Sequence, residues 1–260
     1  RTHVLQFQQR FLERIGKGEI SGDTANKQMR HVKDTIETVA ASEEIPIDCE
    51  WLFSKVKFAK KYRVRPPFEA AFVEEKFVLG KELDGLNEEA RQLIAVMIET
   101  GARESEIIGL MPEDFFLDAE VPHIWIRKNE VREIKTQSSD RKIPLVGIAL
   151  EAARRFSETG MLRYQPSPDG ASSTINKYLR ENGLKPTPKH TLYSLRHCFK
   201  DRLRDAGAPE EVILELMGHA KHGPQYGRGH KLETKETWLQ KIAFTRPPKP
   251  GSLGDQEQGY

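Results

Sequence analysis

Two short segments of apolar, strand-favouring residues interrupt a chain whose apolar residues otherwise recur with helical spacing. They are Ile124–Ile126 and Ile143–Leu145, and the polar stretch 128–142 between them is typical of a strand followed by a hairpin loop. Before and after these segments, apolar residues recur every three to four positions, as they do in amphipathic helices. This order predicts a mostly α domain with a small antiparallel β-sheet, which is an α+β fold.

A pair of prolines, Pro66 and Pro67, predicts a domain boundary, since proline ends regular structure and stiffens the chain. The segment 1–65 has the apolar pattern of two helices, which is too little for a full domain core. We therefore expect it to be the end of a helical domain whose beginning is missing. Residues 66–245 are predicted to form a larger domain, and the Pro- and Gly-rich tail 246–260 is expected to be disordered.

Positive charge is concentrated in the first part of the chain. Residues 1–65 hold 13 basic and 9 acidic side chains, a net charge of +4, whereas the remaining residues hold 28 basic and 30 acidic side chains, a net charge of −2. The excess comes from a run that contains no acidic residue: Lys55, Lys57, Lys60, Lys61, Arg63 and Arg65. Such a run can neutralise DNA phosphates and release their counterions, although a solvated linker has the same composition.

Several classes of protein are disfavoured by the sequence. No apolar run approaches the ~18 residues that span a bilayer, and no signal peptide is visible. The two cysteines, Cys49 and Cys198, lack the spacing of zinc ligands and fit reduced thiols. These features predict a cytoplasmic globular protein.

Four polar segments contain side chains that could act on a phosphate. The first is Thr-Gly-Ala-Arg-Glu-Ser-Glu, where Arg103 stands at the junction of two predicted helices. Its guanidinium could clamp a phosphate with two hydrogen bonds or pair with Glu106. The second segment, Lys-Thr-Gln-Ser-Ser-Asp-Arg, begins at Lys135 on the predicted hairpin. That lysine could donate a proton or could simply be solvated.

The other two segments come later in the chain. The third begins an amphipathic helix and contains Tyr193, Arg196 and His197. A half-buried arginine there needs a partner, and we interpret His197 as a core histidine bonded to the backbone. In the fourth, His219 follows the glycine that ends a predicted helix, and Tyr226 comes seven positions later in a glycine-rich, flexible stretch. A tyrosine in such a place is often merely exposed.

In this order, the four segments resemble the motifs of the tyrosine recombinase family, the phage integrases. Thr-Gly-Ala-Arg-Glu-Ser-Glu resembles the family's first-arginine box, and Lys135 matches the lysine of its β-hairpin. Tyr-Ser-Leu-Arg-His resembles the second-arginine box, and Leu-Met-Gly-His the late-histidine box. Tyr226 matches the nucleophile of the family. Each box is weak by itself, but the ordered set is specific.

The resemblance implies a fold and an activity. Residues 66–245 would form a tyrosine-recombinase catalytic domain, and residues 1–65 part of a core-binding domain with a basic linker. The chain would be a site-specific recombinase of the phage or prophage type, which cleaves and rejoins DNA without a metal, ATP or any other cofactor. Implied partners are a double-stranded recombination site, further copies in a tetramer on DNA, and accessory DNA-bending or directionality proteins. The implied location is the nucleoid in the bacterial cytoplasm.

The resemblance also implies a role for each matched residue. Tyr226 would attack the scissile phosphate and hold the DNA 3′ end as a phosphotyrosine. Arg103 and Arg196 would bind the non-bridging oxygens, where negative charge grows in the transition state. Lys135 would protonate the leaving 5′ oxygen, and His219 would bind the phosphate or assist Tyr226.

One position departs from the family pattern. The family usually has a histidine three residues before the second arginine, and this chain has Tyr193 there. The family's histidine has a supporting role, and a tyrosine hydroxyl can also donate a hydrogen bond to a phosphate oxygen. Tyr193 is therefore a candidate for that role. The sequence gives no ground for assigning the role to His190 instead, which lies one helical turn earlier.

Three other functions are weighed against recombination. A type IB topoisomerase relative would use the same kind of site but would relax supercoils without pairing two DNA sites. A catalytically inactive DNA-binding protein would explain the basic run but not the ordered boxes. A metal-dependent nuclease would need clustered carboxylates, and Glu104 with Glu106 makes a poor case for one.

Overall fold

A computed structural model describes residues 1–59, 65–134, 136–220 and 229–246 of the chain. It divides into two compact units, residues 1–64 and residues 65–260. Among the described helices, none has the length and apolar content that a membrane span requires.

The first unit contains helices α1 (Thr2–Gly16), α2 (Gly22–Ser42) and α3 (Cys49–Leu52). The hydroxyl of Ser21 accepts a hydrogen bond from the backbone of Thr24 at 3.1 Å and so caps α2. The unit's buried apolar core is small and consists of Phe11, Ala25, Met29 and Phe58.

The second unit is mainly helical. Its helices are α4 (Ala70–Val73), α5 (Glu88–Thr100), α6 (Glu104–Ile108), α7 (Gly147–Phe156), α8 (Pro168–Glu181), α9 (Ser194–Asp205), α10 (Glu210–Met217) and α11 (Leu232–Ile242). The chain continues from α4 into a π-helical segment, Glu74–Leu79, and short 3₁₀ turns occur at Pro112–Asp114 and Gln137–Ser139. The helical spacing of apolar residues after the sheet thus corresponds to helices in the structure.

A three-stranded antiparallel sheet lies between α6 and α7. Its strands are β1 (Phe115–Phe116), β2 (His123–Ile126) and β3 (Arg141–Pro144), in that spatial order. In the pairing of β2 with β3, Ile124 faces Ile143 and Ile126 faces Arg141. The three isoleucines are fully buried. The predicted fold class, mostly α with a small antiparallel sheet, is confirmed.

Helix α5 is the centre of the second unit and packs against α7 and α9. The side chain of Asn87 caps its start by accepting a bond from Ala90 N at 3.1 Å. Gly101 ends it in the left-handed conformation, with φ of +58°. A Cβ at Gly101 would lie 2.2 Å from Phe199, so only glycine fits there. This turn fixes the position at which α6 begins.

Candidate active site

The first-arginine segment lies at the turn between α5 and α6. Arg103 is the N-cap residue of α6, and the carboxylate of Glu106 accepts its backbone N–H at 2.8 Å. The same carboxylate accepts Nη1 of Arg103 at 2.7 Å, so the pairing considered from the sequence is present. The Arg103 side chain is 28% exposed. A guanidinium has five N–H groups, and the pair with Glu106 leaves donors of Arg103 to bind a phosphate.

A second, buried arginine shares the carboxylate of Glu106. Nη1 and Nη2 of Arg141, on β3, donate to the two Glu106 oxygens at 3.1 and 2.8 Å. Nε of Arg141 donates to the carbonyl of Leu216 at 2.8 Å. Arg141 therefore connects the start of α6 to the last turn of α10. Neither Arg141 nor the central position of Glu106 was predicted from the sequence.

The two arginines keep Glu106 ionised. Burial by itself raises the pKa of this carboxyl, but the hydrogen bond and charge of Arg141 outweigh burial. The backbone N–H and charge of Arg103 act in the same direction, and the pKa of Glu106 is lowered from 4.5 to about 2. A lowered folded-state pKa means that the pair stabilises the fold above about pH 4.5 and loses this contribution as the pH falls towards 2.

We expect Glu106→Gln to be less stable than the wild type at neutral pH, and the difference to disappear in acid. The lowered pKa corresponds to about 3 kcal/mol at neutral pH. The difference in unfolding free energy between the two proteins should shrink between about pH 4.5 and pH 2, as measured by denaturant unfolding at each pH. Glu133→Gln, on the exposed hairpin, is the control. A difference that stays constant over this pH range would contradict the assignment.

Arg196, on α9, joins three of the motif segments. Its side chain is buried, with a residue exposure of 1%. Nη1 donates to the carbonyl of Gly101, two residues before Arg103, and Nη2 donates to the carbonyl of Met217. Nη2 also lies 3.1 Å from Nε2 of His219. Burial, and then the charge of Arg103, lower the pKa of Arg196 to about 10, so it remains charged at neutral pH.

His219 follows the αL residue Gly218, which ends α10 with φ of +62°. A guanidinium donates hydrogen bonds and accepts none, so Nε2 of His219 is the acceptor and its proton is on Nδ1. Burial, and then the charges of Arg196 and Arg103, lower the pKa of His219 to about 4. The ring is therefore neutral at pH 7 and has an Nδ1–H group available to donate.

Tyr193 immediately precedes α9 and is half-buried. Its ring lies edge-on to His197, with centroids 5.4 Å apart, and the guanidinium of Arg65 lies 5.1 Å from the Tyr193 ring centroid. We expected the His197 side chain to bond to the backbone; among the described residues it makes no such hydrogen bond, and its ring packs against Tyr193. Tyr193 thus contacts both the His197 imidazole and the Arg65 guanidinium.

His190 has a structural role in the same region. Its Nε2 donates to the carbonyl of Pro67 at 3.0 Å, and its Nδ1 accepts the backbone N–H of Thr187 at 3.1 Å. Nε2 therefore holds the start of the second unit, and Nδ1 holds the turn at Thr187. Neither ring nitrogen is left to bind a phosphate in this arrangement.

The base of the hairpin that carries Lys135 is held by buried polar groups. Asp114 is fully buried, and its carboxylate accepts Nε of Arg127 at 2.8 Å. Nη1 of Arg132 donates to the carbonyl of Glu106 at 2.6 Å, which ties the hairpin to α6. Lys135 itself lies outside the described residues.

The other predicted residues are exposed side chains or lie outside the described ranges. Lys55 and Lys57 are exposed in the first unit, and Arg65 is exposed in the second. Lys60, Lys61 and Arg63 lie outside the described residues, as do Tyr226 and the tail from position 247. The structure therefore brings together Arg103, Arg196 and His219. Tyr193 lies three positions before Arg196 in the sequence.

Comparison with known proteins matches most of the second unit to a family. A family model described as the phage integrase family matches residues 79–223, which is more than half of the chain. The transposase of transposon Tn916 from Enterococcus faecalis is 27% identical over 176 residues, which cover 56% of this chain and 43% of that protein. The tyrosine recombinase XerC of Syntrophus aciditrophicus is 30% identical over 173 residues, which cover 56% of this chain and 51% of that protein. The chain spans about half the length of the curated relatives it matches.

Solved structures with a similar fold come from the same group of proteins. One is the Tn1549 transposon integrase in complex with circular intermediate DNA, with a TM-score of 0.57 and 18% identity. The aligned region covers 93% of this chain and 82% of the Tn1549 integrase chain. Another is a lambda integrase dimer bound to a core site, with a TM-score of 0.58 and 14% identity. The aligned region covers 88% of this chain and 82% of the lambda integrase chain. At these identities the likeness concerns the fold.

Proposed function

Because the chain belongs to the phage integrase family, we propose that it is a site-specific DNA recombinase that breaks and rejoins DNA through a covalent 3′-phosphotyrosyl link. The observation that carries this proposal is the convergence of three distant motifs. Arg196 binds the carbonyl of the Gly101 turn beside Arg103 and also contacts His219. Two cations and a neutral imidazole at one place suit a phosphodiester in its transition state.

The proposed reaction transfers the phosphate between oxygens. The hydroxyl of Tyr226 releases its proton to solvent water, and its oxygen forms a bond to phosphorus while the bond to the 5′ oxygen of the next nucleotide breaks. Lys135 gives a proton to that leaving oxygen. The bond energy is kept in the phosphotyrosine, and the 5′ hydroxyl of a partner strand then reverses the step, so no ATP is required.

The described side chains would stabilise the charge that develops during this transfer. Arg103 has free donors at the surface of the site, and Arg196 supplies a buried positive charge behind it. Nδ1–H of His219 can donate to a phosphate oxygen, since its Nε2 is already an acceptor for Arg196. The hydroxyl of Tyr193 would donate to the phosphate from the position of the family's histidine.

The proposal extends to organisation and partners. Residues 1–65 would be part of a core-binding domain with a basic linker, and residues 66–245 the catalytic domain. Strand exchange between two duplexes, each bound by two protomers, would require a tetramer on DNA. Accessory DNA-bending or directionality proteins would be further partners, and the nucleoid of a bacterial cytoplasm the place of action.

The basic run gives this proposal a salt-dependence prediction. Replacing Lys57, Lys60 and Lys61 with glutamine should weaken binding to all DNA sequences, because interactions with phosphates carry no sequence information. The slope of log affinity against log salt should flatten by about 0.9 for each phosphate that the variant no longer neutralises. Binding titrations at several salt concentrations measure it. An unchanged slope would remove the linker from the DNA interface.

The central experiment traps the covalent intermediate. The protein is incubated with a pool of nicked suicide duplexes of random sequence, whose cleaved product diffuses away and prevents rejoining. A denaturing gel should show a protein–DNA adduct, and sequencing the trapped DNA should reveal the preferred site. An inactive DNA-binding protein would give no adduct. A topoisomerase IB-like enzyme would relax supercoiled plasmid that has no pair of such sites.

A further inference from the structure

A largely buried carboxylate on α10 holds the chain directly after the segment that contains Tyr226. Glu215 accepts the backbone N–H of His230 at 3.0 Å, and its other oxygen lies 3.2 Å from Nδ1 of His230. Nζ of Lys235, on α11, lies 3.2 Å from Glu215. Glu215, Gly229, His230 and Lys235 are named the α10 clamp below.

The α10 clamp is closely packed. The side chains of Glu215 and Lys235 are only 13% and 10% exposed. Gly229 has a φ of +79°, and a Cβ there would lie 3.2 Å from the Glu215 carboxylate. Removing one partner of a buried charge pair strongly destabilises the folded protein, because the other charge stays buried without its partner. The clamp therefore has a defined geometry that depends on the Glu215 carboxylate.

The clamp and His219 fix both ends of the same segment. His219 is held by its backbone bond to Leu214 O at 2.9 Å and by Arg196, and Glu215 is the next residue after Leu214 on α10. Residues that flank positions 221–228 are thus bound to a single turn of one helix. Tyr226 is four positions from His230, and four residues span at most about 14 Å. The clamp consequently fixes the backbone at His230, four positions after Tyr226.

We propose that Glu215 is a positioning residue for Tyr226: by clamping Gly229 and His230 to α10, it holds the nucleophile segment close to the arginines of the same protomer. This inference rests on the proposed function of Tyr226. The nucleophile gains its rate from being held near the phosphate, and a misplacement of about 1 Å can cost about a hundredfold. The clamp would contribute to that restraint by fixing His230, four positions after Tyr226.

The test is single-turnover cleavage of a suicide duplex by Glu215→Ala at saturating protein. We expect the cleavage rate constant to fall by at least about tenfold, with the final fraction of cleaved DNA and the DNA affinity unchanged. A purely structural role would lower the fraction of active protein but leave the rate constant of that fraction as in the wild type. Such a result would overturn the proposal.

Further variants separate positioning from misfolding. Glu215→Gln keeps an acceptor for the His230 backbone and should recover part of the rate. Lys235→Met leaves the Glu215–His230 bond in place and should slow cleavage less than Glu215→Ala. Glu233→Ala, exposed on the first turn of α11, is the matched control and should cleave at the wild-type rate.

The two hypotheses fail differently. If Tyr226→Phe still forms the adduct, the nucleophile assignment is wrong whatever the clamp does. If Tyr226→Phe forms none but all Glu215 and Lys235 variants cleave at the wild-type rate, the recombinase assignment stands and the positioning role of Glu215 is wrong.

Discussion

Tyr226→Phe should abolish the covalent protein–DNA adduct while DNA binding persists. The substitution removes only the hydroxyl oxygen that would bond to phosphorus, and it leaves the ring and the backbone unchanged. The arginines and the basic run, which account for phosphate affinity, are untouched. The measurement is a denaturing gel with a suicide duplex labelled on the strand that would become attached. Affinity is measured in parallel by a gel shift.

Tyr193→Phe is the matched comparison, because it removes the same hydroxyl at the other late tyrosine. Tyr193 is half-buried against His197 and under the guanidinium of Arg65, so the ring should keep its place without the hydroxyl. We expect slower cleavage but a normal adduct. An adduct that survives Tyr226→Phe, or a labelled peptide that contains Tyr193, would overturn the nucleophile assignment.

Local signals predicted most of the fold. The amphipathic spacing of the helices and the glycine that ends α10 before His219 follow from rules that involve residues within one or two turns of each other. The β2 and β3 segments were similarly visible as short apolar runs. Strand β1 was not predicted, because its two residues, Phe115–Phe116, are too short to show alternation. The helical segment from Ala70 to Leu79 was also missed.

The candidate site was only partly predictable. The motif order indicated Arg103, Arg196 and His219, and these three are close together in the structure. The hydrogen bond from Arg141 to Glu106 joins residues 35 positions apart, and the bond from Arg141 to Leu216 spans 75 positions. No periodicity or spacing rule reports such pairs, since they depend on how β3 packs between α6 and α10. The supporting residues of the site therefore required the tertiary structure.

The burial of each arginine side chain could likewise not be predicted from the sequence, and it changes the expected effect of each mutation. From the motifs alone, removal of Arg103 or Arg196 is expected to leave folding nearly intact. In the structure only Arg103 is partly exposed, whereas Arg196 is buried and binds the carbonyls of Gly101 and Met217. An unsatisfied buried acceptor costs about 1–3 kcal/mol. Arg196→Ala should therefore lose stability as well as activity.

Arg103→Ala is consequently the cleaner test of charge stabilisation in the proposed reaction. Glu106 would remain paired with Arg141 in this variant, so the melting temperature should stay close to that of the wild type. The cleavage rate constant should fall by about 10²–10³, the cost of losing one strong donor to the transition state. Thermal unfolding and single-turnover cleavage measure the two quantities, with the exposed Arg154→Ala on α7 as control.

Arg196→Lys completes the argument, because it keeps a positive charge at the buried position but lacks the planar fork that reaches two carbonyls and His219. We expect a smaller loss of stability than in Arg196→Ala and still a large loss of cleavage rate. For both arginines, the effect of a substitution on stability should therefore differ in size from its effect on the cleavage rate. If Arg103→Ala instead unfolds while its folded fraction cleaves at the wild-type rate, Arg103 is a structural partner of Glu106 and the site has a different phosphate ligand.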